Sequence, residues 1–90
     1  MRDVNGARLM PRTAITLAVE IEMERLFVGY DAALAGAPVP HDLSVGNLGR
    51  ILSIEDDGEP MGLVEFTDGA KAYWRGLLKG HEMRLAEGAG

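Results

Sequence analysis

The run Thr13-Ala14-Ile15-Thr16-Leu17-Ala18-Val19-Glu20-Ile21-Glu22-Met23-Glu24-Arg25-Leu26-Phe27-Val28 decides the fold, because it satisfies two periodicities at once. Ile15, Leu17, Val19, Ile21 and Met23 alternate with Thr16, Ala18, Glu20 and Glu22, the period-2 pattern of a half-buried strand. Ile15, Val19, Met23, Leu26, Phe27, Tyr30 and Leu34 also make a helical series at i, i+4, i+8 and i+11. Length favours the helix. Nothing from Thr13 to Val28 resembles a turn, and an unbroken strand of about sixteen residues would far exceed the usual length of roughly 3–10. The expectation is a helix over 13–36, with Thr13 as N-cap after Pro11 and with Gly36, Pro38 and Pro40 at its end.

Such a helix has two apolar faces. Ile15, Val19, Met23, Leu26 and Tyr30 share one, and Leu17, Ile21 and Val28 share another. Glu20, Glu24 and Asp31 form an acidic stripe between them, with Glu22 and Arg25 on the opposite side. A surface helix ordinarily has one apolar stripe, so two imply packing against both its own domain and a second protomer or partner. The plainer alternative is that a small protein tolerates an exposed Leu, Ile and Val.

Outward from this run, residues 1–12 read as an arm, with at most a short strand around Ala7–Met10, and 37–47 as a linker. From Leu48 the texture is strand and turn. Leu48–Ile54 is a first strand, with Leu48, Arg50, Leu52 and Ile54 expected on one side. Glu55-Asp56-Asp57-Gly58-Glu59-Pro60 is a polar turn. Met61–Thr67 is a second strand, with Leu63 and Glu65 opposite Val64 and Phe66. Asp68-Gly69 signals a hairpin before a third strand over Ala70–Arg75. Gly76–Gly80 reads as a turn, Glu82–Leu85 as a last strand and 86–90 as a frayed tail. The expected class is α+β, one long N-terminal helix followed by a small antiparallel meander or barrel over 48–85, SH3-like or OB-like.

Composition narrows the chemistry. Ninety residues make one small domain, 47% apolar, with a formal charge of −5 and no Cys. Disulfides, thiolate zinc sites and a cysteine nucleophile are therefore excluded. The charge argues against a general nucleic-acid or anionic-membrane binder. Five charges between Ala14 and Leu34 rule out an ordinary membrane span there (Glu20, Glu22, Glu24, Arg25 and Asp31). With no apolar signal region near Met1, the expected location is the cytoplasm.

No catalytic set assembles. His41 and His81 lack metal-ligand spacing, and the acidic turn lacks the register of a calcium loop. Thr13, Thr16, Ser44, Ser53 and Thr67 stand in no nucleophile motif. Gly46-Asn47-Leu48-Gly49 matches no phosphate-binding loop. Charge is uneven. Residues 20–68 hold eleven carboxylates against Arg25 and Arg50, whereas 69–90 hold Lys71, Arg75, Lys79 and Arg84 against Glu82 and Glu87. Lys71, Tyr73 and Arg75 share one strand face, with Trp74 on the other, and basic groups interleaved with aromatics are able to contact single-stranded nucleic acid. The plainer alternative puts Trp74 in the core and the cations in balance with the acidic half.

The stretch Leu48-Gly49-Arg50-Ile51-Leu52-Ser53-Ile54-Glu55-Asp56-Asp57-Gly58, followed by Gly62-Leu63-Val64-Glu65-Phe66, Gly69 and Leu77-Leu78, resembles the barrel of hydrogenase-maturation chaperones of the HypC/HupF type. The resemblance covers about residues 48–85 and implies a barrel that docks onto a larger enzyme. The family begins with Met-Cys, whose thiol is central to carrying an iron fragment. This chain has no Cys, so the resemblance does not extend to that role.

The functional expectation is a non-catalytic interaction module without cofactor or metal. It would be an accessory or assembly subunit, docking a larger protein or a second copy through Leu17, Ile21 and Val28, with Phe27 and Tyr30 as aromatic anchors. The alternatives are a nucleic-acid-binding regulator using Lys71, Tyr73 and Arg75, and a small metal-dependent enzyme.

Overall fold

The alternation in the deciding run is expressed directly by the backbone. Ala14–Leu17 is a strand, β1, with Ile15 and Leu17 fully buried and Ala14 and Thr16 half-buried on its other side. The computed structural model describes residues 1–28, 42–55, 58–67 and 73–86. After β1 the chain bends at Ala18–Val19, and Ile21 exchanges backbone hydrogen bonds with Leu43, both 2.9 Å. Met23–Arg25 forms one 3-10 turn, and Leu26–Val28 is a second strand, β2.

The long helix over 13–36 is thus corrected, and with it the α+β class. Among the described residues the only helical elements are two 3-10 turns of three residues each, and the molecule is mostly antiparallel sheet. Residues 29–36 of the expected helix lie outside the described residues. Two short strands separated by a bend replace one long element, so the objection from strand length did not apply. Ile15, Thr16, Val19 and Ile21 are β-branched, stiff at χ1 and suited to a pleated surface.

Four further strands follow: β3 (Leu48–Glu55), β4 (Met61–Thr67), β5 (Tyr73–Lys79) and β6 (Met83–Leu85). They join one sheet in the order β2-β5-β4-β3-β1-β6, with every pair antiparallel. β4 occupies the expected residues. β5 runs on through Lys79, where the sequence reads as a turn, and a 3-10 turn over Gly80–Glu82 leads into β6. Within β3 a register shift between Ile51 and Ser53 inverts the alternation: Leu48 and Arg50 face out, while Ile54 packs against the core. The expected Asp68-Gly69 hairpin lies outside the described residues.

The sheet encloses Ile15, Leu17, Ile21, Leu26, Ile51, Val64, Phe66, Leu78 and Met83, with Leu9 and Leu43 brought in from outside it. The part of the expected linker that is described, 42–47, lies along β1. Leu17 N donates to Asn47 O, Gly46 N donates to Leu17 O, and Leu43 is buried.

The expected arm is also docked. Its first ten residues fold back on themselves, Leu9 N donating to Met1 O and Asp3 N to Ala7 O. They lie along β6, where Val4 N donates to Met83 O and the buried Asp3 carboxylate accepts from Leu85 N. The Met83 carbonyl and the Leu85 amide, outward groups of β6 that would otherwise template a foreign strand, are occupied in this way.

Candidate functional site

Strand register sorts the remaining side chains. A single row crosses every strand but β6 on the outer face: Phe27 opposite Arg75, Arg75 opposite Glu65, Glu65 opposite Arg50 and Arg50 opposite Ala14. Beside this row Leu77 pairs with Leu63, and on its other flank Leu48 pairs with Thr16, itself opposite Arg84. Three large apolar residues on this face stand well in solvent, Phe27 at 47%, Leu48 at 62% and Leu77 at 39% exposure.

The charges of the row are unequally matched. Glu65 Oε2 accepts from Arg75 Nε at 3.1 Å and lies 3.1 Å from its Nη2. Arg50, on the other side of Glu65, is exposed and makes no ion pair among the described residues. A concavity of about 300 Å³ opens between Leu48, Arg50 and Glu65, where Ala14 is too small to fill the space opposite Arg50. A smaller one of about 190 Å³ lies beside Arg2, Glu59, Lys79 and His81, and a 3.5 Å contact pairs Lys79 with Glu59 there.

One further cation borders the face. Met10-Pro11-Arg12-Thr13 is a tight turn closed by Thr13 N donating to Met10 O. Pro11 supplies the fixed φ of its second position, and Arg12 holds the third at φ 72. Arg12 N and Thr13 O both bond Ile51, through its carbonyl and its amide respectively, so two residues oppose one. This is a bulge whose left-handed position is ordinarily glycine.

The sequence-based docking residues are not brought together here. Leu17 and Ile21 are fully buried in the core, so neither forms a surface. Their apparent second face came from winding a strand pattern onto a helix. Phe27 is exposed, as a docking residue must be. Val28 lies in β2 with its side chain outside the described residues, and Tyr30 lies outside them altogether. Of the basic trio, Arg75 gives its charge to Glu65, Tyr73 is described in its backbone only, and Lys71 lies outside the described residues. Trp74 is buried on the inner face.

Leu48, Leu77, Arg50 and Arg12 are the residues sequence reasoning missed. Leu48 and Arg50 carry an ordinary strand-alternation signal, whereas Leu77 falls in Gly76–Gly80, which reads as a turn. Arg12 carries none, since Arg gives no warning of a left-handed backbone.

Two buried carboxylates are structural. Asp3 Oδ1 accepts from Asn5 N and Ala7 N, and Oδ2 accepts from Leu85 N at 2.7 Å. Burial pushes its pKa up, but these amides and nearby Arg84 outweigh it and hold the carboxyl below its ordinary value. Glu82 takes a two-pronged bond from Arg25, 2.5 and 2.8 Å, and accepts from Lys79 N. The Arg25 guanidinium holds Glu82 below the usual carboxylate range against the opposing effect of burial, and Glu82 in turn raises Arg25.

Among the described residues no group of three or more His, Asp or Glu is placed to hold a metal ion, and no helix is long and apolar enough to cross a membrane. No family model, curated protein or solved structure matches the chain.

Proposed function

We propose that the chain is a non-catalytic interaction module that docks a larger protein through the outer face of its sheet. The observation that supports this reading is the exposure of Phe27, Leu48 and Leu77 together on the outer face of one sheet, whose inner face packs the core. Single exposed apolar residues need no explanation, but several on one rigid face form a surface that association would remove from water. The Glu65–Arg75 pair sits within that surface and gives it polarity and register. The resemblance of 48–85 to hydrogenase-maturation chaperones fits the same reading, a β-module that seats on a larger enzyme without carrying metal.

Photo-crosslinking tests it. A photoreactive residue at Leu48 or Phe27 should trap one protein in the source cell, whereas the same residue at Glu55 should not. Leu48→Glu and Phe27→Asp should lose that protein with an unchanged melting temperature. Retention in both variants defeats the reading.

A further inference from the structure

The docked arm is joined to β1 by Met10-Pro11-Arg12-Thr13, and this short connection is strained. Arg12 is the one non-glycine residue at positive φ among the described residues, at 72°, where an L-residue is disfavoured and glycine is not. Met10, Pro11 and Arg12 are all exposed, so the connection opens without unpacking side chains of its own. Met10 stands before a proline and favours extended backbone in any case.

The hydrogen bonds of the turn have a ready replacement. β1 and β3 pair Ala14 with Arg50 and Ile15 with Gly49, so the next pair in register is Thr13 with Ile51. Half of that pair exists, since Ile51 N donates to Thr13 O at 3.0 Å. The other half is displaced: Thr13 N is turned back to Met10 O, and Ile51 O accepts from Arg12 N instead. Straightening the connection frees Thr13 N to take Ile51 O, which lengthens β1 by one residue and returns Arg12 to an ordinary φ.

The arm moves as a unit. Leu9 N bonds Met1 O, Asp3 N bonds Ala7 O, and the Asp3 carboxylate accepts from Asn5 N and Ala7 N, all within residues 1–9. Its seat is built by β6 and the core: Val4 N donates to Met83 O, Leu85 N donates to Asp3 Oδ2, and Leu9 is buried. The same arm of a second copy makes every one of these contacts unchanged. The two arrangements differ at the connection, strained when closed and relaxed when open, and strain in a short hinge drives exchange of an identical element between protomers.

We infer that the arm exchanges between two copies of this chain, the Asp3 and Leu9 of each seating on the β6 and in the core of the other, with Met10–Thr13 opened as the crossover. The exchanged contacts lie at β6, away from Phe27, Leu48 and Leu77, so the inference is independent of the docking reading.

The chain has no Cys, so introduced cysteines report single positions. Full-length Val4→Cys and Arg84→Cys chains, both substituted at exposed positions, are unfolded together in urea, refolded at high concentration and treated with a short bis-maleimide. Val4 N bonds the carbonyl of Met83, the neighbour of Arg84, so a link from position 4 of one chain to position 84 of another reports an exchanged arm. That link should form after joint refolding and be nearly absent when the chains are refolded apart and mixed afterwards. Light scattering on the unsubstituted chain should show a dimer that dissociates slowly on dilution, because Leu9 has to leave a core. Arg12→Gly should weaken that dimer about tenfold by relieving two strained residues per dimer. Arg12→Asn, which tolerates the left-handed region without adding glycine's flexibility, should shift it the same way. A monomer at every refolding concentration overturns the inference, as does a dimer without the 4-to-84 link. Dimerisation of both Arg12 variants as tight as that of the unsubstituted chain overturns it as well.

Discussion

Asp3 shows how one side chain fixes the position of ten residues. Its carboxylate is buried and accepts three backbone amides, two within its own turn and one from Leu85 in β6. Asp3→Ala strands those donors. The Leu85 amide is the costly one, because it faces the arm and not water. The expected loss is about 2–3 kcal/mol, read as a lowered midpoint in urea unfolding. Asp3→Asn should recover only part of it, since an amide offers one acceptor oxygen where the carboxylate offers two. Nothing in Met1-Arg2-Asp3-Val4-Asn5-Gly6 marks Asp3 as buried; Asn5-Gly6 signals only a turn, and the strand Asp3 serves lies 82 residues away. Local signals are legible in sequence, whereas a long-range acceptor is not.

The same limit operates on whole elements. β4 is legible because Leu63, Val64, Glu65 and Phe66 alternate cleanly and Pro60 stands just before it. The second half of β3 is not, since a bulge between Ile51 and Ser53 reverses the parity that Leu48 and Arg50 establish. The run 13–28 misleads for a third reason. Its apolar residues fit both periods, and the bend at Ala18–Val19 uses no Gly, Pro or Asn. On the candidate face, Phe27, expected as an aromatic anchor on a helix, is instead an exposed residue of β2, while Leu17 and Ile21 passed to the core as soon as the helix became strand. The arm behaves as an element too, and Gly80 is its seat. A Cβ at Gly80 would fall 2.0 Å from the Arg2 carbonyl oxygen, a backbone atom that has no alternative rotamer. Gly80→Ala should therefore lift the arm from the 3-10 turn and uncover β6. Faster proteolysis within 1–12 and concentration-dependent association in sedimentation are the expected outcomes. Protection equal to wild type would show that the arm is held without that close approach.

At the scale of the molecule, Arg25 and Glu82 join the two ends of the sheet. Arg25 immediately precedes β2, the outermost strand at one end, and Glu82 immediately precedes β6, the outermost at the other. The guanidinium also reaches Leu77 O, and Ala18 N donates to Glu82 O, so the pair is tied to β5 on one side and to the end of β1 on the other. Glu82 and Asp3 both hold pKa values below the ordinary 4.5 and 3.8. Each therefore binds its proton less readily folded than unfolded. The stability they contribute is fully present above those ordinary values and is lost as pH falls through the lowered ones. The melting temperature should be level from neutrality to about pH 5 and then decline. Arg25→Ala should cost about 2 kcal/mol at neutral pH, less than the roughly 3–5 kcal/mol of a fully buried pair, because the Arg25 side chain is 38% exposed. Its deficit against wild type should narrow as pH drops below 4.5, since burial then acts on Glu82 alone and favours the neutral acid. Arg25→Lys should remain short of wild type, because an ammonium cannot span both carboxylate oxygens and Leu77 O in one planar fork. A deficit constant across the acid range would place the role of Arg25 in packing its aliphatic stem, with the charge pair contributing nothing.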